Sequence, residues 1–223
     1  MGLLSAAAAA LGYLSGSLLV AAVFSVLVQM LLTGGMYLDG MAKLIATISA
    51  SSVERKREVL QQCGLSTGGK VAITVILVAK FTFVWRMMEA ASWQQTLMMI
   101  TVVSVNSMYA LVAAAAFSTE TTIGDYWYWF IRSIGRAQWT ITSVITLALL
   151  VVFVSFPVSL GLLAFAVGSA AIVVHRCKRA LGGMVGAGMG IVYEGVQVCS
   201  YVFLFFALRS SFFPMQGFLP LFF

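Results

Sequence analysis

Asp39 stands in the stretch TGGMYLDGMAK, Thr33–Lys43, with Gly34, Gly35 and Gly40 around it. At the end of a long apolar run, a carboxylate in such a setting is where a membrane protein would place a catalytic or metal-holding acid. Four residues on, where a second carboxylate would complete a metal site, there is Lys43. On a helix, residues four apart also form ordinary surface ion pairs worth ~0.3 kcal/mol. A second glycine-rich stretch, LGGMVGAGMGIVYE, runs from Leu181 to Glu194. Its Gly182, Gly186 and Gly190 recur every four residues, the stripe of small residues that lets helices approach closely in lipid, and Gly183 extends it. Glu194 falls about three turns inside the last apolar run, where a carboxylate needs a partner or a role. Glu58 lies in the polar segment SVERKREVLQQ, which can lay Val53 and Leu60 on the membrane and turn Glu54, Arg55, Arg57 and Glu58 to water. His175 has no second histidine, so a two-histidine heme is excluded. Cys63, Cys177 and Cys199 lack the spacing of a zinc site or a disulfide framework.

The elements that carry these residues are set by composition. The chain is 61% hydrophobic and 9% charged over 223 residues, with mean hydropathy +1.03. A soluble domain of this size could not bury so much apolar surface. The apolar runs are long and do not alternate, so they are helices rather than barrel strands. The expected fold is all-α, a polytopic transmembrane bundle forming one domain over 1–223. Six spans are expected: Leu11–Leu32, Thr67–Trp85, Ser92–Phe117, Trp139–Phe156, Val158–His175 and Gly183–Leu208. An N-terminal interfacial piece precedes the first, and Pro157 breaks the chain between the fourth and fifth. The aromatic stretch Tyr126–Phe130 marks a membrane surface. Lys70 and Lys80 are expected to snorkel to the two ends of span two, Glu89 to pair locally with Arg86, and His175 to lie at headgroup level.

Charge sets the sidedness. Loops 34–66, 118–137 and 176–182 collect the basic residues, leaving only Lys80, Arg86 and Arg209 toward the other face. The basic loops should face the cytoplasm or an organellar matrix, with both termini opposite. The net charge of +6 therefore reads as topology and headgroup contact, not nucleic-acid binding. The aromatic tail Ser211–Phe223 is too short and proline-interrupted to span, and suits a protein interface or the lipid interface.

In order and spacing the motifs resemble those of the cobalamin 5′-phosphate synthase (adenosylcobinamide-GDP ribazoletransferase) family. The resemblance implies a multi-span membrane enzyme that joins a GDP-activated corrinoid to α-ribazole or its phosphate with magnesium. The family's first motif is approximately LDG-x-AD-x-x-DG. Asp39 and Gly40 match it, but two acids fall at Lys43 and Ala46. In the second segment Glu58 is kept and an aspartate falls at Gln62. In the last, Gly182, Gly183, Gly186, Gly190 and Glu194 match and an aspartate falls at Ala187. The resemblance thus implies inherited glycines Gly34, Gly35, Gly40, Gly182, Gly183, Gly186 and Gly190. It leaves Asp39, Glu58 and Glu194 as vestigial catalytic candidates and implies no metal ligand set. The expectation is a non-catalytic relative without a cofactor, serving as an accessory subunit of a larger membrane complex. The mitochondrial inner membrane is favoured over a bacterial one. Membrane lipids and other membrane subunits are its expected partners, engaged through aromatic and glycine-rich helix faces and the C-terminal tail. The alternative is an active magnesium-dependent transferase using Asp39, Glu58 and Glu194.

Overall fold

The structure, a computed structural model, describes residues 1–62, 64–118 and 127–209. Cys63, Tyr126 and the tail Ser211–Phe223 lie outside the described residues. Among the described residues there are ten α-helices: α1 (Gly2–Leu14), α2 (Leu18–Leu32), α3 (Met36–Ala46), α4 (Val53–Gln61), α5 (Thr67–Ala90), α6 (Trp93–Phe117), α7 (Tyr128–Ser133), α8 (Arg136–Phe153), α9 (Phe156–Leu181) and α10 (Gly186–Arg209). Helices α5, α6, α8, α9 and α10 are long and apolar enough to cross a membrane. Helices α2 and α3, joined through a bend of 81°, are long and apolar enough only as a pair, in the manner of a broken span or a re-entrant loop. The expected polytopic helical bundle is therefore the architecture.

Local chemistry places the helix boundaries. Ser17, Ser52, Ser66 and Ser92 each cap a helix by accepting the backbone N–H three residues on, which satisfies a donor that the first turn leaves open. Pro157 sits in the first turn of α9, the position where its missing N–H costs nothing. At the α2–α3 bend, Gly34 and Gly35 have φ of 58° and 70°. Residues with a Cβ rarely adopt that region.

Two expectations for the first span fail. The expected continuous helix Leu11–Leu32 is broken after Leu14, and α1 is packed into the bundle. Helix α1 folds back on α2 as a hairpin, with Gly12 seated on the Ala21 backbone and Gly2 against Thr101 and Ser104 of α6. Its 13 residues measure roughly 20 Å, short of the ~30 Å bilayer core. The second failure concerns residues 36–46, which form a helix packed into the bundle rather than part of a basic loop. Tyr37, Leu38, Met41 and Ala42 are buried there.

The core has two halves. One groups Val84, Met87, Met99, Val103, Leu162 and Leu204. The other, nearer the α3 end, groups Tyr37, Ala113, Ala166, Ala170, Met189 and Tyr193. Helix α6 runs through both and is buried nearly all round, while α8 buries only Thr146 and Leu150 and leaves its apolar side chains outward. A helix apolar on every face is either central or lipid-facing, and this bundle contains both kinds.

Candidate functional site

The two glycine-rich stretches meet, as a composite site requires. Helix α3 crosses α10 with backbone on backbone. A Cβ placed on Gly190 would lie 2.3 Å from the Tyr37 carbonyl oxygen and 2.6 Å from the Met41 amide nitrogen. A Cβ on Gly40 would lie 3.2 Å from the Ala187 Cα. Only glycine at 190 lets the helices come this close. Beside the crossing, Tyr37 and Tyr193 stack with ring centroids 4.1 Å apart, and Trp127 lies 5.8 Å from Tyr37. The spacing rule misplaced one glycine, because Gly182 is the left-handed C-cap of α9. Helix α10 begins only at Gly186, so Gly186 and Gly190 alone of the three share a helix face, and Gly183 lies in the connection.

Asp39 and Lys43 pair across one turn of α3 at 2.9 Å. Ala46 lies on the same face, seven residues from Asp39. Ala187 sits across the crossing against Gly40. Glu58 is on the surface helix α4, paired with Arg55 at 2.7 Å and exposed. Gln62 is the residue at which α4 ends. Arg57, from the same helix, donates to the Leu181 carbonyl at 3.2 Å and so ties α4 to the end of α9.

Glu194 lies deeper, and its partner corrects an expectation. Lys80 does not snorkel. Its ammonium forms a salt bridge with the Glu194 carboxylate inside the bundle, with Lys80 only 4% and Glu194 only 2% exposed. The Lys80 nitrogen also lies 5.9 Å from the centre of the Tyr193 ring. Lys80 is ten residues from the end of α5 at Ala90, or roughly 15 Å of helix rise. A lysine side chain cannot reach across that distance; the expected span end at Trp85, five residues away, had left the surface within its reach.

Further polar contacts join α10 to its neighbours. Gln29 Nε2 donates to the Tyr201 hydroxyl at 2.8 Å. Asn106 Nδ2 donates to the Ser200 hydroxyl at 3.1 Å and to the Leu162 carbonyl at 3.2 Å. Within α10 itself, Gln197 Nε2 donates to the Tyr193 hydroxyl at 3.4 Å. Sequence reasoning singled out none of Gln29, Asn106 or Tyr201, since polar residues within apolar runs reveal their partners only once helix neighbours are known. Among the described residues, no three His, Cys, Asp or Glu side chains gather into a group that could hold a metal ion. His175 is exposed, and Arg86 pairs with Glu89 at 2.8 Å as expected.

These features define a polytopic α-helical membrane protein whose last helix closes a glycine crossing on one side and a buried ion pair on the other. The profile of the cobalamin-5-phosphate synthase family matches residues 1–205. An adenosylcobinamide-GDP ribazoletransferase of Escherichia coli (strain K12 / DH10B) is 31% identical over 178 residues, covering 78% of this chain and 70% of that protein. The protein of the same name from Escherichia coli O81 (strain ED1a) gives the same identity and coverage. No solved structure matches. The chain belongs to the cobalamin-5-phosphate synthase family.

Proposed function

We propose that this protein is a non-catalytic member of its family, kept for its membrane scaffold and serving as an accessory subunit of a larger membrane assembly. One observation carries the reading: each of the three candidate acids is already held by a cation of the chain itself. Asp39 has Lys43, Glu58 has Arg55, and Glu194 has Lys80. Magnesium takes oxygen ligands in near-octahedral array, mostly carboxylates, phosphate oxygens and water. The face of α3 that carries Asp39 offers instead an ammonium at 43 and a methyl at 46, and Ala187 across the crossing adds another methyl. These residues do not fit that ion, so no catalytic step is derived through it. A bundle freed of its chemistry still offers apolar helix faces such as that of α8 to neighbouring subunits.

The test is direct. The purified chain is assayed for magnesium-dependent joining of adenosylcobinamide-GDP to α-ribazole, with Asp39→Ala alongside. No turnover is expected. Turnover that disappears in Asp39→Ala overturns the reading in favour of an active transferase, which family membership supports. Extraction in mild detergent, followed by identification of co-purifying chains, tests the second half. A stoichiometric partner is expected, and a chain that is always alone refutes the subunit role. The mitochondrial expectation gains no support from the relatives, which are bacterial.

A further inference from the structure

We infer that the basic end of the bundle is a binding surface for anionic phospholipid headgroups, built from α4, α7 and the C-terminal two turns of α9. Thirteen lysines and arginines are present, and all but Lys80, Arg86 and Arg209 belong to this end. Of the seven acids, all but Glu89 and Glu194 fall in the same stretches, and two of these, Asp39 and Glu58, are spent on Lys43 and Arg55. The structure draws the basic segments together. Arg57 of α4 bonds the end of α9, and Trp127, which precedes α7, lies beside Tyr37 of α3.

Apolar side chains stand among these cations at the surface. Ile48 and Trp129 are each 78% exposed, and Val53 is 40% exposed. Helix α4 buries none of its residues, yet its N-cap and the Arg57 bond hold it in place. Val53 shares α4 with Lys56, Trp129 shares α7 with Arg132, and α4 is bonded to the end of α9 that carries Arg176 and Arg179; exposed apolar and cationic groups on the same elements match a headgroup layer with negative phosphates above acyl chains. A soluble anion would have no use for Ile48, Val53 and Trp129, so the occupant is lipid. The inference does not depend on whether the protein is catalytic.

The full chain is placed in nanodiscs of phosphatidylcholine, alone or mixed with phosphatidylglycerol, and the lipids it retains are counted by native mass spectrometry. Phosphatidylglycerol should be retained in preference, with the preference falling as salt is raised. It should drop roughly fivefold for each cation removed in Lys56→Gln/Arg176→Gln/Arg179→Gln, and stay unchanged in Arg209→Gln at the far end. Equal retention of the two lipids by the unaltered chain overturns the inference without any variant having to fold. So does a preference that survives the triple substitution, one that inorganic phosphate competes away, or occupation of the surface by an acidic protein in place of lipid.

Discussion

Replacing Lys80 by methionine keeps the stem of the side chain and removes its charge, leaving the Glu194 carboxylate alone at 2% exposure. Removing one partner of a buried ion pair costs about 3–5 kcal/mol, because the other charge stays desolvated and uncompensated. Lipid on the outside of the bundle gives that charge no better refuge, since a lone charge at the centre of a membrane helix costs ~2.5–3.5 kcal/mol even on the most lenient scale. Lys80→Met should therefore destabilise the bundle by about 3 kcal/mol, more than a hundredfold in the folding equilibrium. Glu194→Leu should do the same from the other side. The double variant Lys80→Met/Glu194→Leu removes both charges and should recover most of the loss, since an apolar pair of similar volume is often as stable as the ions it replaces. The assay is unfolding in mixed detergent micelles followed by tryptophan fluorescence, with the four proteins forming a thermodynamic cycle. A double variant as unstable as the sum of the singles would show that the two charges do not act on each other. Single losses below about 0.5 kcal/mol would place both groups in water.

Three other outcomes are expected. Gly190→Ala drives a methyl into the α3 backbone and should cost about 1–3 kcal/mol; Gly195→Ala, which meets nothing within 4 Å, should be neutral or slightly stabilising, and thermal melts of the two compare them directly. The coupling between Gln29 and Tyr201, measured with Gln29→Leu and Tyr201→Phe, should fall near 0.6–1.7 kcal/mol, roughly the range for hydrogen bonds between membrane helices. In α4, the backbone amide at Glu54 and the Ser52 hydroxyl hold the Glu54 carboxyl below the ordinary glutamate range. Its contribution to helix order is then complete above the ordinary glutamate pKa and lost as pH falls through the lowered one; backbone chemical shifts across α4 should follow that acid titration, and Glu54→Gln should abolish it.

The spans were legible because lipid permits so few solutions. Once an apolar run is long enough to cross, helix is the only open-chain structure that satisfies its backbone, and five of the six runs reappear within a few residues. The first run failed because its length concealed two interruptions. Both carried signals, Ser15-Gly16-Ser17 at one and Gly34-Gly35 at the other, but such short polar or glycine breaks do not decide between a kink and a reversal. The meeting of Asp39's stretch with Glu194's could be expected from their shared membrane face. The backbone contact of Gly40 and Gly190 with the opposing helix could not, because a four-residue glycine spacing names a face without naming its partner. The general habit of lysines puts Lys80 at the surface. The helix runs five residues past the expected end at Trp85, to Ala90, and the partner that holds Lys80 is 114 residues away in the chain, by the numbers of Lys80 and Glu194.

Helix α10 is the last of the described helices to be made, and it carries partners for polar groups of α2, α5 and α6. Gln29 and Lys80 wait for it, as does the bond from Asn106 to Ser200, and so does the small-residue face of α3. At a synthesis rate of ~5–20 residues per second, Lys80 enters the membrane on the order of ten seconds before Glu194 exists. For that interval the earlier spans must be held near water, headgroups or an insertion partner, because their unsatisfied groups cannot rest in hydrocarbon. Assembly is thus ordered from the end: the partly inserted chain is an open cage with its polar groups unsealed, and the arrival of α10 shuts it.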